Sequence, residues 1–296
     1  MKLYAPKYYE RFKCIADKCS HSCCIGWEID VDADTLKRYK SLDAVNSKYI
    51  LDSIDMTSEP KFKLCENKKC SNLDENGLCK IISTVGDDYL CDICREHPRF
   101  YNYTNRGKEV GLGMACEEAC RVILSSDDFD EIIEIAEIDG EPDICDYDAI
   151  PYIQQLFDGI KDDDSDFFEK IGLLYDCYDI EIEFENMSDI LQDLEYLDPA
   201  HKDLFLSYKR PDTPIARDKE LTRAFAYFVY RHCSEATDCD EFSNSLNFSI
   251  FCSYLLAGIS KDDDIYDNAR IISEEIEYSD VNVEKIKSLF GQIIDD

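Results

Sequence analysis

Eleven of the 16 cysteines in this 296-residue chain fall between Cys14 and Cys120. They come as Cys14, Cys19, Cys23 and Cys24, then Cys65, Cys70 and Cys79, then Cys91-Asp-Ile-Cys94, then Cys116 and Cys120. Gaps of two to four residues let neighbouring thiolates converge on one ion while the backbone folds around it and donates N–H groups to sulfur. His21 and His97 stand inside the set as alternative ligands. The single CxxC carries little weight alone. Cys116 and Cys120, four apart on an expected helix, share a face and read equally well as small buried side chains. Eleven together are different. The opening residues, MKLYAPKYYERFK, are charged and lack an apolar leader segment, so a reducing cytoplasmic setting is expected and a disulfide framework is disfavoured. Metal binding is the chemistry that calls for so many thiols.

Zinc and a 4Fe–4S cluster both accept all-thiolate ligation. Zinc favours two tight CxxC knuckles per ion and only one is present, so the irregular spacing favours the cluster. Side chains of adjacent residues tend to diverge, so Cys23 and Cys24 are expected to serve different sites.

Other polar candidates are few. Arg95, His97 and Arg99 follow Cys94 and suit either an anionic group, a hydrogen bond to cluster sulfur, or plain surface charge. Tyr230, Arg231 and His232 sit on a helix with an apolar face, where a buried Arg–carboxylate pair is expected in preference to catalysis. Trp27, Tyr4, Tyr8 and Tyr9 read as packing residues.

The elements that must position these groups are mainly helical. VDADTLKRYKSL (31–42) predicts a helix capped by Asp32 or Asp34, and SNLDENGLC (71–79) a turn at Asn76-Gly77 that could close a hairpin. Helical periodicity covers 114–124, 221–236, 244–259, 267–278 and 281–294, with 244–259 apolar on nearly all sides and therefore central. EIIEIAEI (131–138) fits helix or strand, and 139–143 and 161–166 read as loops. The expected class is mainly α: an irregular, metal-organised Cys-rich region, 1–125, packed on an acidic helical region, 126–296.

Charge follows the same division. Residues 1–125 carry 19 Lys/Arg and 20 Asp/Glu, whereas 126–296 carry 13 and 45. Such charge reads first as a solvated surface; its functional reading is attraction of a basic, lysine-bearing protein partner, and it repels nucleic acid. Hydrophobic content of 45% supports a packed globular fold, and no apolar run approaches the ~20 residues of a membrane span.

CIADKCSHSCCIGWEIDVD, CSNLDENGLCKI, GDDYLCDICREHPRFYN and the MACEEACRVIL helix together resemble the flagellin lysine-N-methylase family, part of a wider group of Cys-rich zinc- or iron-chelating proteins. The likeness spans residues 4–125 and recurs at Leu221–Leu256, where AYFVYRHC matches a family helix. The resemblance implies methylation of lysine ε-amines on flagellin, S-adenosylmethionine as donor, and a bound iron–sulfur cluster or zinc. The positions it matches are Cys14, Cys19, Cys23, Cys24, Cys70, Cys79, Cys91, Cys94 and Cys116, with Cys65 and Cys120 peripheral. The chain is shorter than fuller members of the family. Donor-binding signals are weak: GLGMAC (111–116) has GxG without a third glycine, and the CxxxCxxC spacing of radical S-adenosylmethionine enzymes is absent. A non-catalytic metal-binding or redox module, and a structural zinc protein whose acidic half docks a basic partner, are the rival expectations.

Overall fold

The computed structural model describes residues 1–142, 144–161, 165–178, 187–211, 217–260 and 264–291. The loop residues Asp143 and 162–164, most of the second DDD run, and the end of the helix expected to reach 294 lie outside that set. The chain forms two compact units, Met1–Phe12 with Arg99–Asp296, and Lys13–Pro98. The divisions fall at 12/13 and 98/99, while the shift in cysteine density and charge falls near 125. The reason is topological: the first strand belongs with the strands that follow Pro98, so the Lys13–Pro98 unit is an insertion.

In the inserted unit, α1 (Ala33–Ser41) is capped as expected by Asp32, whose carboxylate accepts from the Thr35 N–H at 2.8 Å. Helix α2 (Ala44–Asp52), the short antiparallel pair β2 (Ile54–Asp55) and β3 (Lys61–Phe62), α3 (Lys80–Val85) and α4 (Asp92–Glu96) complete it. Its core is small: Ile29, Val31, Leu36, Tyr39, Ile50, Ile54, Phe62 and Ile81, together with the thiols of Cys70 and Cys91. At 71–79 the turn forms, with Gly77 at φ 78° and an isolated Leu73–Cys79 bridge in place of a full hairpin.

The other unit holds a four-stranded sheet that periodicity did not foretell. Strands β1 (Lys2–Pro6), β4 (Arg99–Thr104), β5 (Gly107–Leu112) and β6 (Ile132–Glu137) lie in the order β4-β5-β1-β6. β1 is parallel to β5 and antiparallel to β6, with Leu3 opposite Lys108 and Ala5 opposite Ile133. Gly107 is required at the β4–β5 turn, because a Cβ there would lie 2.3 Å from the Lys2 carbonyl.

The helices of this unit are α5 (Glu117–Leu124), α6 (Ile150–Ile160), α7 (Phe167–Tyr178), α8 (Met187–Gln192), α9 (Pro199–Leu206), α10 (Asp218–Cys233), α11 (Cys239–Ile259), α12 (Ile265–Ile272) and α13 (Asp280–Gly291). Helix α5 starts at Glu117, later than its periodicity predicts. α11 is buried on nearly every side, as its composition requires, and packs against α10. Between α12 and α13 the chain makes a π-turn, Ser273–Glu277. The widened turn carries both Glu275 and Glu277 into the interior. The protein is thus mainly α, with a small mixed sheet and a Cys-rich inserted unit.

Candidate metal centre

Short bridges between loops, rather than long elements, bring the cysteines of the inserted unit together. The Cys70 N–H donates to the Cys24 carbonyl at 2.8 Å, Leu64 bridges Cys70, and Leu73 bridges Cys79. Lys80 N donates to Asn72 O at 2.7 Å and locks the 70s loop onto α3. The α4 segment is tied to α1, because the Asp32 carboxylate that caps α1 also accepts from Asp92 N at 2.9 Å, beside Cys91. Arg38 adds a bond to the Asp88 carbonyl at 2.5 Å.

The result gathers Cys24, Cys70, Cys79, Cys91 and Cys94 around one small core. Backbone amides point at three of the sulfurs: Asn72 N–H at Cys70, Ile81 and Ile82 N–H at Cys79, and Cys94 N–H at Cys91. The thiols feel one another. Burial pushes Cys70 up to about 11, with Cys24, Cys79 and Cys91 adding to the rise. Burial likewise raises Cys79 against its amide donors. The Cys94 thiol donates to Cys91, which lowers Cys91 and raises Cys94. The Cys23 and Cys24 thiols are hydrogen-bonded, which lowers Cys24 to about 7. Their side chains therefore do not diverge, as adjacency suggests; the bend at Gly26, with φ 104°, follows them closely. Among the described residues, no group of three or more His, Cys, Asp or Glu side chains closes to the arrangement a metal ion needs.

One feature of this core bears on whether a metal fits. The Tyr39 hydroxyl is buried with no hydrogen-bond partner among the described residues, and it faces Cys79, Cys91 and Cys94. A buried hydroxyl without a partner is costly. Thiolate or sulfide sulfur would accept its proton, so the donor set suits an anionic sulfur centre better than five neutral thiols.

Of the remaining sequence candidates, Cys23 stays with this group through its bond to Cys24 and its effect on Cys94, and the others are spread out. Cys14, Cys23 and Cys65 are exposed, and Cys19 is half-buried, with its thiol 3.0 Å from the His21 carbonyl. Cys116 belongs to the other unit, where it is the N-cap of α5 and lies near Cys120 and Tyr278. Trp27 donates to the Cys23 carbonyl at 2.7 Å and lies 5.9 Å from the His97 ring. Burial lowers His97 to about 4, so it is neutral. Arg95 pairs with Asp92 at the surface, and Arg99, in the other unit, donates to Tyr9 Oη at 2.7 Å.

In that larger unit the buried Arg–carboxylate pair expected on α10 is present. Glu277, fully buried, accepts from Tyr227 Oη at 2.9 Å and His232 Nε2 at 2.7 Å, and forms an ion pair with Arg231, whose Nε lies 3.4 Å away. Arg231 is flanked by the rings of Phe100 and Tyr278, each 5.0 Å away. A second fully buried carboxylate, Glu109, takes two bonds from Arg106, at 2.6 and 2.9 Å, and one from Tyr230 at 2.9 Å. Neither glutamate carried a sequence signal, since 65 acidic residues hide the few that are buried. A carboxylate only accepts, so His232 is the Nε2–H tautomer.

This arrangement predicts acid sensitivity. Burial lowers His232 from 6.5 to about 4, so its contribution is complete above pH 6.5 and is lost as pH falls towards 4. Arg231 and His232 outweigh burial and hold Glu277 down from 4.5 to about 2, which adds a second loss below pH 4.5. His201, raised from 6.5 by Glu275, works in the opposite direction but is partly exposed and screened. The urea midpoint of this unit is expected to be lower at about pH 5 than at about pH 7.5. Equal midpoints would contradict the neutral, buried His232.

The segment GLGMAC is not a phosphate-cradling turn. Gly111 lies inside β5, where a Cβ would meet the Phe100 ring at 2.2 Å, and neither Gly111 nor Gly113 has a positive φ. Among the described residues no helix is long and apolar enough to cross a membrane.

Comparison with known proteins bears on the whole pattern. Flagellar biosynthetic protein FliU of Salmonella muenchen is 31% identical over 130 residues, which cover 42% of this chain and 77% of FliU. The chain belongs to the FliU and lysine-N-methylase family. Two proteins named lysine-N-methylase, from Salmonella typhimurium and Salmonella choleraesuis, are 30% and 29% identical over 130 residues. The matched span covers 42% of this chain and 32% of each of those longer family members. No family model and no solved structure matches.

Proposed function

We propose that this chain is a protein-lysine N-methyltransferase acting on flagellin, or on another lysine-bearing flagellar protein, with S-adenosylmethionine as methyl donor. The observation that supports this is its 30% identity with the Salmonella typhimurium lysine-N-methylase. Methyl transfer requires a neutral ε-amine aligned with the sulfonium methyl carbon; the N–C bond forms as the C–S bond breaks and the thioether leaves, a positioning and desolvation task. Within this reading an iron–sulfur cluster or zinc is held by sulfurs drawn from Cys24, Cys70, Cys79, Cys91 and Cys94, with the Tyr39 hydroxyl and the backbone amides donating to them. Such a centre would close the small core and, as a cluster, supply one-electron chemistry.

Incubating the intact, anaerobically purified chain with S-adenosylmethionine and flagellin is expected to add methyl mass to flagellin lysines. No mass gain from metal-replete protein would overturn the proposal. A non-catalytic metal-binding or redox module is the second reading, favoured by the strand geometry at Gly111. A reversible one-electron titration without donor binding would select it.

Tyr39→Phe separates the metal from the fold. Without metal the variant is expected to be as stable as the parent or more so, since an unpartnered hydroxyl is removed. With metal it is expected to shift the visible spectrum, because a donor to sulfur is lost. An unchanged spectrum in a metal-loaded variant would remove Tyr39 from the centre.

A further inference from the structure

The larger unit contains a cavity of 540 Å³ apart from the Cys-rich core of Lys13–Pro98, with Cys145 in its lining. Three segments build it: Tyr103–Asn105 at the end of β4, Ile144–Ala149 before α6, and Ser234–Thr237 after α10. They are held to one another. Asn105 Nδ2 donates to the Cys145 and Tyr147 carbonyls at 2.9 and 3.2 Å, and its Oδ1 accepts from Cys145 N at 2.7 Å. Tyr103 N donates to Glu235 Oε1 at 3.0 Å. One wall is braced by aromatic stacking, with Tyr147 lying on Tyr152 at 5.6 Å and 4°.

The lining is of two kinds. Thr104, Ala149, Ser234 and Ala236 are buried, whereas Glu235 and Asp148 are exposed carboxylates. Among the described residues neither carboxylate forms a salt bridge. Their recorded bonds are the backbone N–H groups of Tyr103 and Ile150. The cavity therefore combines apolar and aromatic walls with two carboxylates that each keep an oxygen outside these backbone bonds; burial raises the Glu235 carboxyl above its ordinary range and Lys287 acts against that rise, and the pair still rejects anions and favours a cation with an aliphatic stem.

We propose that this cavity takes the alkylammonium side chain of a lysine on a partner protein. Lysine fits better than arginine. A guanidinium fork pairs best with both oxygens of one carboxylate, and Glu235 has already given one oxygen to Tyr103. A compact ammonium needs only the other. The surrounding 126–296 segment, with 45 Asp/Glu against 13 Lys/Arg, supplies the long-range attraction for a basic protein surface. The identity of that protein as the methylation substrate rests on the reading above; the binding chemistry does not.

The test uses the intact chain and an acetylated, amidated peptide with one central lysine. The comparison peptide carries norleucine, which keeps the stem and removes the charge. The lysine peptide is expected to bind about tenfold tighter or more, and Glu235→Gln is expected to abolish that preference. Its amide oxygen still accepts from Tyr103, so thermal unfolding should be unchanged. Asp148→Asn is expected to weaken the preference without removing it. Equal binding of the two peptides overturns the proposal, as does a lysine preference that survives in the double variant. Competition by S-adenosylhomocysteine at this cavity also overturns it, by assigning the space to the methyl donor. Lysine-peptide binding without methylation of flagellin would leave the pocket standing and remove the methyltransferase. Methylation with an unchanged KM in Glu235→Gln would do the reverse.

Discussion

Replacing Arg231 with alanine is expected to destabilise the Met1–Phe12 and Arg99–Asp296 unit by about 3–5 kcal/mol, the cost of leaving a buried carboxylate without its cation. Glu277 is fully buried, and with Arg231 gone its neighbours are a neutral histidine and a phenol. Two losses add to this. The Tyr227 hydroxyl loses the Arg231 Nη1 donor at 2.8 Å, and the stacking space between Phe100 and Tyr278 empties. Arg231→Met keeps most of the volume and isolates the charge, so it should recover only the packing part. Combining it with Glu277→Gln should cost less than the two single changes together, because the second removes the orphaned charge created by the first. Urea unfolding at neutral pH measures each. A cost under about 1 kcal/mol for Arg231→Ala would mean that Glu277 finds another partner or water.

The second large effect is expected in the inserted unit. Cys91→Ser should remove bound metal and with it the stable structure of Lys13–Pro98, leaving the sheet-and-helix unit folded. The core of the inserted unit has eight apolar side chains besides its two buried thiols, and its segments are joined by isolated bridges and helices of nine residues or fewer. Metal binding energy in such a unit is folding energy. Cys91 is the least exposed of the five thiols in this core, capped by the Cys94 amide and anchored through Asp92 and Asp32. Limited proteolysis should then cut within 13–98 and spare the rest. Cys14→Ser, at an exposed position, serves as the comparison and should leave both metal and protection intact. A Cys91→Ser chain with full protection of 13–98 would contradict the account.

The helices were legible because their signals are local. Asp32 before an amphipathic run marked α1, and the all-round apolar stretch marked α11 as central. The sheet was not legible, because its key pairing is not local. β1, KLYAP, is a pentapeptide too short to show a period, whose partners lie far along the chain, and β5, GKEVGL, has two glycines that mask its alternation. β6 was ambiguous alone and becomes a strand because β1 is there to pair with it.

The site divides in the same way. Cysteine spacing pointed to a shared centre but could not rank nine candidates; loop bridges and N–H···S bonds draw Cys24, Cys70, Cys79, Cys91 and Cys94 together, with Cys23 bonded to Cys24 at the edge. Tyr39 had a usable signal, four residues after Thr35 and three after Leu36 on the buried face of α1. Glu277 had none, since a π-turn decides which side of the chain it faces.

The most direct test of the central claim, that these thiols hold an inorganic centre, is metal and sulfide analysis of the anaerobically purified chain, read alongside its visible spectrum. The account predicts stoichiometric metal in the parent and in Cys14→Ser, and loss of it in Cys79→Ser and Cys91→Ser. A folded parent that purifies metal-free from metal-replete cells and takes up neither iron and sulfide nor zinc on reconstitution would contradict it.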